Sequence, residues 1–477
     1  MRSTTRWLGL TLILCLATAG CGGSGGEISS TGQTTSTSTV NLVVADTPAT
    51  DLTVLSFQVQ ITGAVLQPGN VSLLPRPVTV DLAQLVSDTA FLSSTVIDSA
   101  TYTSLELTFA NPQVTLLNNT GVPIELAGQT CAAGATCTFD PALNNATVTI
   151  SNGVFPLTLT ASSTTGLNLD LSIPDLLQSD LSVTLANGSS VNLSVLSGNN
   201  VTSIDDVLGT VTAVNGTQVS LTTAFGDSLV LNESTSTAYA YPSSVCASPA
   251  ASCVMTGQIV AVDLSLPGDG ALGITSLSYV GSSGSQLVKA LILSTDTSAT
   301  TPSVQALIQR EVNVSSLDAG QIATISLLSD AAYSVGVAGY PQITTAGFST
   351  ATDLLPGQEV ILNVGSDLVT GNAPSFSTGT LYLEPSQIIG EVASVDTTQS
   401  TIEVTGLSGL FTAARPIIQQ MAVQTGSSTN FVGFSSAALT AVNVGQFIAA
   451  KGPLFYDTNS ASPTLSAVQV RARSAGN

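Results

Sequence analysis

Carboxylates are the side chains best placed to do acid–base chemistry in this chain. No histidine occurs in its 477 residues, which removes Ser-His-Asp and Cys-His catalysis and every zinc site built on imidazole. What remains is the doublet Asp205-Asp206 in SIDDVLG, with Asp98, Glu106 and Asp170 beside alternating apolar segments. Two such acids flanking a glycosidic bond would hydrolyse it, one as acid and the other as base or nucleophile. Sugar rings also call for aromatic platforms, yet Trp7 is the one tryptophan and lies in the first apolar run. Adjacent acids in a linker are ordinarily solvated, so no residue is assigned a catalytic role and the chain is read as a non-enzyme. A carboxylate-based extracellular hydrolase acting on glycans is the alternative. Asp263 and Asp269, around SLPGDGALG, are weak calcium candidates. Carboxylates and loop carbonyls suit that ion, but the stretch lacks D-x-[DN]-x-[DN]-G, and a plain turn accounts for it. No cofactor is implied.

Six cysteines occur, and four lie beyond the N-terminal segment as local pairs, Cys131 with Cys137 and Cys246 with Cys253. Outside the cytoplasm such pairs oxidise, each closing a small loop that contributes roughly 2 kcal/mol on a chain-entropy basis. A metal clip or free thiols are the other readings. With no histidine nearby, disulfide staples are expected.

Composition bounds the partners. Arg2 and Arg6 fall in the N-terminal segment, and without them nine basic residues become seven against 30 acidic ones, a net charge near −23. That surface repels phosphate backbones, so nucleic acid is not a partner. Charged residues are only 8% of the chain, with Ser, Thr, Gly, Asn, Val and Leu abundant, the balance of a secreted β protein.

Residues 1–20 have the layout of a secretory signal: two arginines, an apolar run from Trp7 to Ala19, then small residues. The following GCGGSG formally matches a dinucleotide loop but lacks the strand before it and the helix after it. Ala19-Gly20-Cys21 instead resembles the lipobox of bacterial lipoproteins, although Thr18 stands where leucine is commonest. That resemblance implies lipidation of Cys21, a membrane partner through the N-terminal anchor, and, with Gly22 next, an outer-membrane location. Residues 21–39 are a Gly/Ser/Thr-rich tether.

LSFQVQI (Leu55 to Ile61), SLELTF (Ser104 to Phe109) and GLNLDLSI (Gly166 to Ile173) alternate as half-buried strands do. DLAQLVSDTAFL from Asp81 and PDLLQSDL from Pro174 have helical spacing and are read as short connectors. Beyond residue 203 the chain repeats. LGTVTAVNGTQVSL at Leu208 aligns with IGEVASVDTTQSTIEV at Ile389, and Gly-Gln leads into a strand at Gly257 and Gly445, with a divergent copy at Gly357. The unit is a five- or six-stranded antiparallel element, either a small Greek-key barrel of the OB type or a sandwich. The fold expected is all-β and multidomain: a sandwich-like N-terminal domain over 40–200, then about three repeats over 203–283, 286–386 and 387–474.

VNLVVADTPA with Asp46 and Pro48, TYTSLELTF around Tyr102, and GLNLDLSIPDLL with Asp170 resemble the bacterial lipoprotein domain called domain of unknown function 4382. The downstream units resemble domain of unknown function 5666. Neither resemblance implies an activity. The function expected is a lipid-anchored envelope protein with a binding or structural role toward a glycan or protein ligand. In a third reading the repeats only space the first domain from the surface.

Overall fold

Alternation decides this fold, because a period of two gives each strand one buried and one wettable face. The computed structural model describes residues 36–47, 53–85, 89–126, 128–178, 181–186, 188, 190–196, 202–223, 226–266, 272–413, 417–457 and 462–473. The signal and the tether up to Thr35, Cys21 included, lie outside these, as do Asp269 and the side chains of Asp46, Asp205 and Asp206, while the last residues assigned to the tether, Thr37 to Thr39, already belong to the first strand. Strand accounts for 57% against 5% helix, so the chain is all-β.

In the N-terminal part, two sheets enclose one core. The first holds Val191–Val195, Thr164–Ser172, Thr37–Thr47 and Thr89–Asp98, in that spatial order. The second is built on the antiparallel pair Val54–Gln67 and Ser104–Leu117, with Val78–Asp81 on one flank. Leu167, Leu169 and Leu171 from one sheet meet Phe57, Val59, Ile61, Leu105, Leu107 and Phe109 from the other in a single cluster, the two inner faces of a sandwich. The Tyr102 ring is buried, and its hydroxyl donates to the Asp98 carbonyl at 2.9 Å. Both local cysteine pairs stand as disulfides, with Cα atoms 5.9 Å and 6.0 Å apart.

Helical spacing misleads at DLAQLVSDTAFL. Only Leu82–Gln84 forms a 3₁₀ turn, capped by Asp81, and from Thr89 the chain is a strand. The reason is burial on both faces: Leu92 faces the sandwich core while Phe91 joins the core of the next unit. Neighbouring apolar residues are what such a strand requires. Likewise, PDLLQSDL yields one short helical turn, Ile173–Leu176.

Further along, Leu287–Asp296, Ser303–Val312, Ile322–Val335, Ser375–Leu383 and Glu359–Asn363 close into a five-stranded barrel. Ile322–Val335 and Ser375–Leu383 run parallel, pairing Thr324 with Ser375. This is the barrel alternative rather than the sandwich. The unit before it repeats the pairing order. Thr202–Asn215 pairs with Gln218–Thr223 and Gln258–Leu266, and the ring returns through Ser228–Asn232 and Gly273–Ser282, parallel at Asn232 and Gly273. In the last unit, Gln420–Gln424 likewise runs parallel to Ser462–Ser466, within an eight-stranded sheet. A parallel bridge from Ile204 to Thr89 merges the first sheet of the sandwich with the first repeat.

One turn recurs in register. The 3₁₀ turns Ala251–Cys253, Ala351–Asp353 and Leu439–Ala441 are each followed by a buried apolar residue, two further residues and then Gly-Gln. Gly257, Gly357 and Gly445 have φ of 87°, 90° and 81°, the third position of a type II turn, which glycine adopts without steric cost. A Cβ on Gly357 would also overlap the Phe411 ring. Gly357→Ala should therefore lower unfolding free energy by about 1–3 kcal/mol. Gly347→Ala has open space and an ordinary φ, so it should stay within about 0.5 kcal/mol. Urea unfolding of both variants measures the difference, and equal effects would refute the role given to this turn.

Candidate functional site

Among the described acids singled out in the sequence, Asp98 and Asp170 do not converge. Along Thr37–Thr47, Asp98 sits opposite Thr37 and Asp170 opposite Ala45. Eight residues of strand separate those two points, about 26 Å, far beyond the spacing of a glycosidase pair. Glu106 is exposed on the other sheet. Asp170 is half-buried, and burial raises its carboxyl above the ordinary range while Arg473 opposes the shift. Asp263 takes a 2.8 Å hydrogen bond from the Ser276 hydroxyl. Among the described residues, no three of His, Cys, Asp and Glu gather as metal ligands.

What the fold does assemble is a polar cleft of about 550 Å³ lined by Gln58, Gln60, Thr79, Asn111, Pro112, Gln113, Asp140, Pro141 and Ala319. Its floor is the outward face of the second sandwich sheet. Register places Gln58 between Asp81 and Gln113, and Gln60 between Thr79 and Ala110. The strand Ser104–Leu117 carries one extra residue at this point, and Asn111 takes φ of 49°. Such a bulge re-aims side chains. Asn111 Nδ2 donates to Gln60 Oε1 at 3.1 Å, and Gln113 Nε2 donates to Asp140 Oδ1 at 3.1 Å. The barrel supplies the opposite wall with the turn at Ala319 and Gly320. Gly320 has φ of 88°, and a Cβ there would overlap Gln113 Oε1. Gln58 is 7% exposed, and its Nε2 has no hydrogen-bond partner.

None of these cleft residues stood out in the sequence as a site. The available signals were the glutamines alternating in LSFQVQI and the Asn111-Pro112 dipeptide interrupting a strand, where proline removes a ladder donor.

Beside the cleft, charges are buried at the junction of sandwich and barrel. Lys289 and Glu359 form a 2.8 Å ion pair with side chains 11% and 4% exposed. Asp81 accepts from the Ser56 hydroxyl at 2.6 Å, from the Phe57 amide at 2.8 Å and from the Ala83 amide at 3.2 Å. Even so, burial pushes its carboxyl up to about 6, with the Glu359 carboxylate adding to the rise.

No family model and no curated protein matches the chain. Among solved structures, drosophila Unr CSD456 is similar at 9% identity over 58% of this chain and all of its own length, with a TM-score of 0.13. A superposition that loose carries no argument.

Asp81 is raised on folding, so the folded state holds its proton in a range where the unfolded chain has lost it. Its contribution is fully present below about pH 4 and is lost as pH rises to about 6. In Asp81→Asn, the Oδ1 can still accept from both amides while no charge forms. The variant should match the wild type near pH 4 and exceed it above pH 6 by on the order of 2 kcal/mol. Unfolding measured from pH 4 to 8 tests this, and a constant difference across that window would contradict it.

Proposed function

We propose that this chain is a lipid-anchored protein of the cell envelope, held at the outer membrane through Cys21, and that it binds a ligand without transforming it. The polar cleft between the sandwich and the barrel carries the binding part of this reading. Its volume lies within the range of small-molecule sites, and its polar groups converge from several strands. Hydrolysis through paired acids would need a second carboxylate across the cleft. Among the described residues that line it, Asp140 is the one acid, already accepting from Gln113.

The spacer reading of the repeats has less support. Ala319 of the barrel forms part of the cleft wall, and Gln387 Nε2 reaches from the last unit to the Gln84 carbonyl at 2.8 Å. The anchor rests on the signal-like N-terminus and Cys21, with the glycine-rich tether leaving room between bilayer and domains.

Labelling cells with an alkyne fatty acid, followed by mass spectrometry of the mature protein, should find acyl groups on Cys21 and none in Cys21→Ser. An unacylated, freely secreted chain would defeat the anchoring part. Glycan turnover that disappears in Asp140→Asn would defeat the binding part in favour of the hydrolase.

A further inference from the structure

We infer that the cleft takes a neutral oligosaccharide; this rests on the binding role proposed above and names its ligand class. Four amide side chains, Gln58, Gln60, Asn111 and Gln113, line it together with the Thr79 hydroxyl and the Asp140 carboxylate. Each amide offers an acceptor and two donors, a set that matches sugar hydroxyls, which both give and receive hydrogen bonds. Asp140 adds a charged acceptor for one hydroxyl.

Other ligand classes fit less well. Among the described residues no lysine or arginine lines the cleft, and the chain carries a formal net charge of −21, so a phosphate or sulfate polymer would meet repulsion without compensation. The apolar lining amounts to Pro112, Pro141 and Ala319. That is too little to strip water from an acyl chain, while a proline ring can cover the C–H face of a sugar. An extended peptide binds well by adding a strand to a free sheet edge. Here the floor strand Val54–Gln67 has neighbours on both sides, with Gln58 paired to Asp81 and Gln113. Its main-chain groups are committed to the ladder, and recognition falls to side chains.

The unpartnered Gln58 Nε2 lies beneath the cleft and is closed off from it by Gly320, so the ligand-facing amides are Gln60, Asn111 and Gln113. A buried amide donor without a partner costs about 1–3 kcal/mol. The side chain is 93% buried and belongs to a strand whose other glutamines, Gln60 and Gln67, are both hydrogen-bonded.

Titration calorimetry of the full mature chain against neutral oligosaccharides of glucose, mannose, galactose and N-acetylglucosamine tests the assignment. At least one series should bind, with affinity insensitive to salt. Gln60→Leu and Gln113→Leu should each weaken it by about tenfold or more, with a retained cooperative unfolding transition showing that the variants are folded. Two variants guard against one failing to fold. Absence of binding by every series, or binding unaltered in both variants, would overturn the inference. A peptide or anionic glycan that binds and is lost in the same two variants would overturn the saccharide class while leaving the binding role intact. Acylation of Cys21 is read separately and is unaffected by any of these results.

Discussion

A left-handed glycine followed by a glutamine that bonds back onto its own turn is the constraint from which the barrels are built. In two units the geometry is the same atom for atom. Gln258 and Gln358 accept through Oε1 from the amides of Met255 and Leu355, and donate through Nε2 to the carbonyls of Cys253 and Asp353. Both side chains are buried, at 6% and 0% exposure, where an unpaired amide would be costly. In the last unit, Gln446 Oε1 accepts from the Asn443 amide. The strand that each turn launches pairs with the first strand of its unit and leads to the strand closing the ring. A slip of one residue there would turn every side chain to the wrong face, so the turn fixes the register of the whole barrel.

The same device, used a fourth time, brings the barrel onto the sandwich. Gln321 Oε1 accepts from the Asp318 amide, and Gly320 between them lies against Gln58 and Gln113. The polar face of a sandwich sheet, which would otherwise meet water, is thereby roofed over. Covering it buries charge. In a chain with only two lysines, Lys289 is committed to Glu359, and Lys451 is 2% exposed inside the last unit. Removing either partner of the Lys289–Glu359 pair would strand a charge out of water.

Much of this architecture is legible in the sequence, because its signals are local. Strict alternation in LSFQVQI and GLNLDLSI identifies half-buried strands, and Gly-Gln at 257, 357 and 445 marks the repeating turn. The Gly-Gln at 320 escaped notice because it opens the third strand of its unit rather than the fourth, outside the spacing shared by the repeats. Thr89–Asp98 was obscured for another reason: burial on both faces erases alternation and imitates helical spacing over a few residues. The cleft was illegible because its two walls are distant in the chain, with Ala319 standing 178 positions beyond Pro141 and 261 beyond Gln58. Whether Gln58 faces solvent or a neighbouring barrel depends on docking, which no local pattern encodes. Acidic residues drew attention by chemistry alone, but register separates Asp98 from Asp170 by most of a strand.

The units are packed together rather than strung out, and that bears on how the cleft works. Leu55 of the sandwich, Leu291 and Leu307 of the barrel and Leu410 of the last unit share one buried cluster. Gln358 Nε2 in the barrel donates to the Leu454 carbonyl of the last unit at 2.8 Å. Gly409 lies so close to Asn119 and Thr53 of the sandwich that a Cβ would overlap both. The last unit thus touches both the sandwich and the barrel, fixing their mutual orientation from behind. A cleft whose walls belong to two bodies on a free hinge would lose affinity to the ordering of that hinge on binding. Here the ordering is supplied by folding, so the amides are held at set positions, the preorganisation on which weak, neutral hydrogen bonds would depend for affinity in the binding role proposed above.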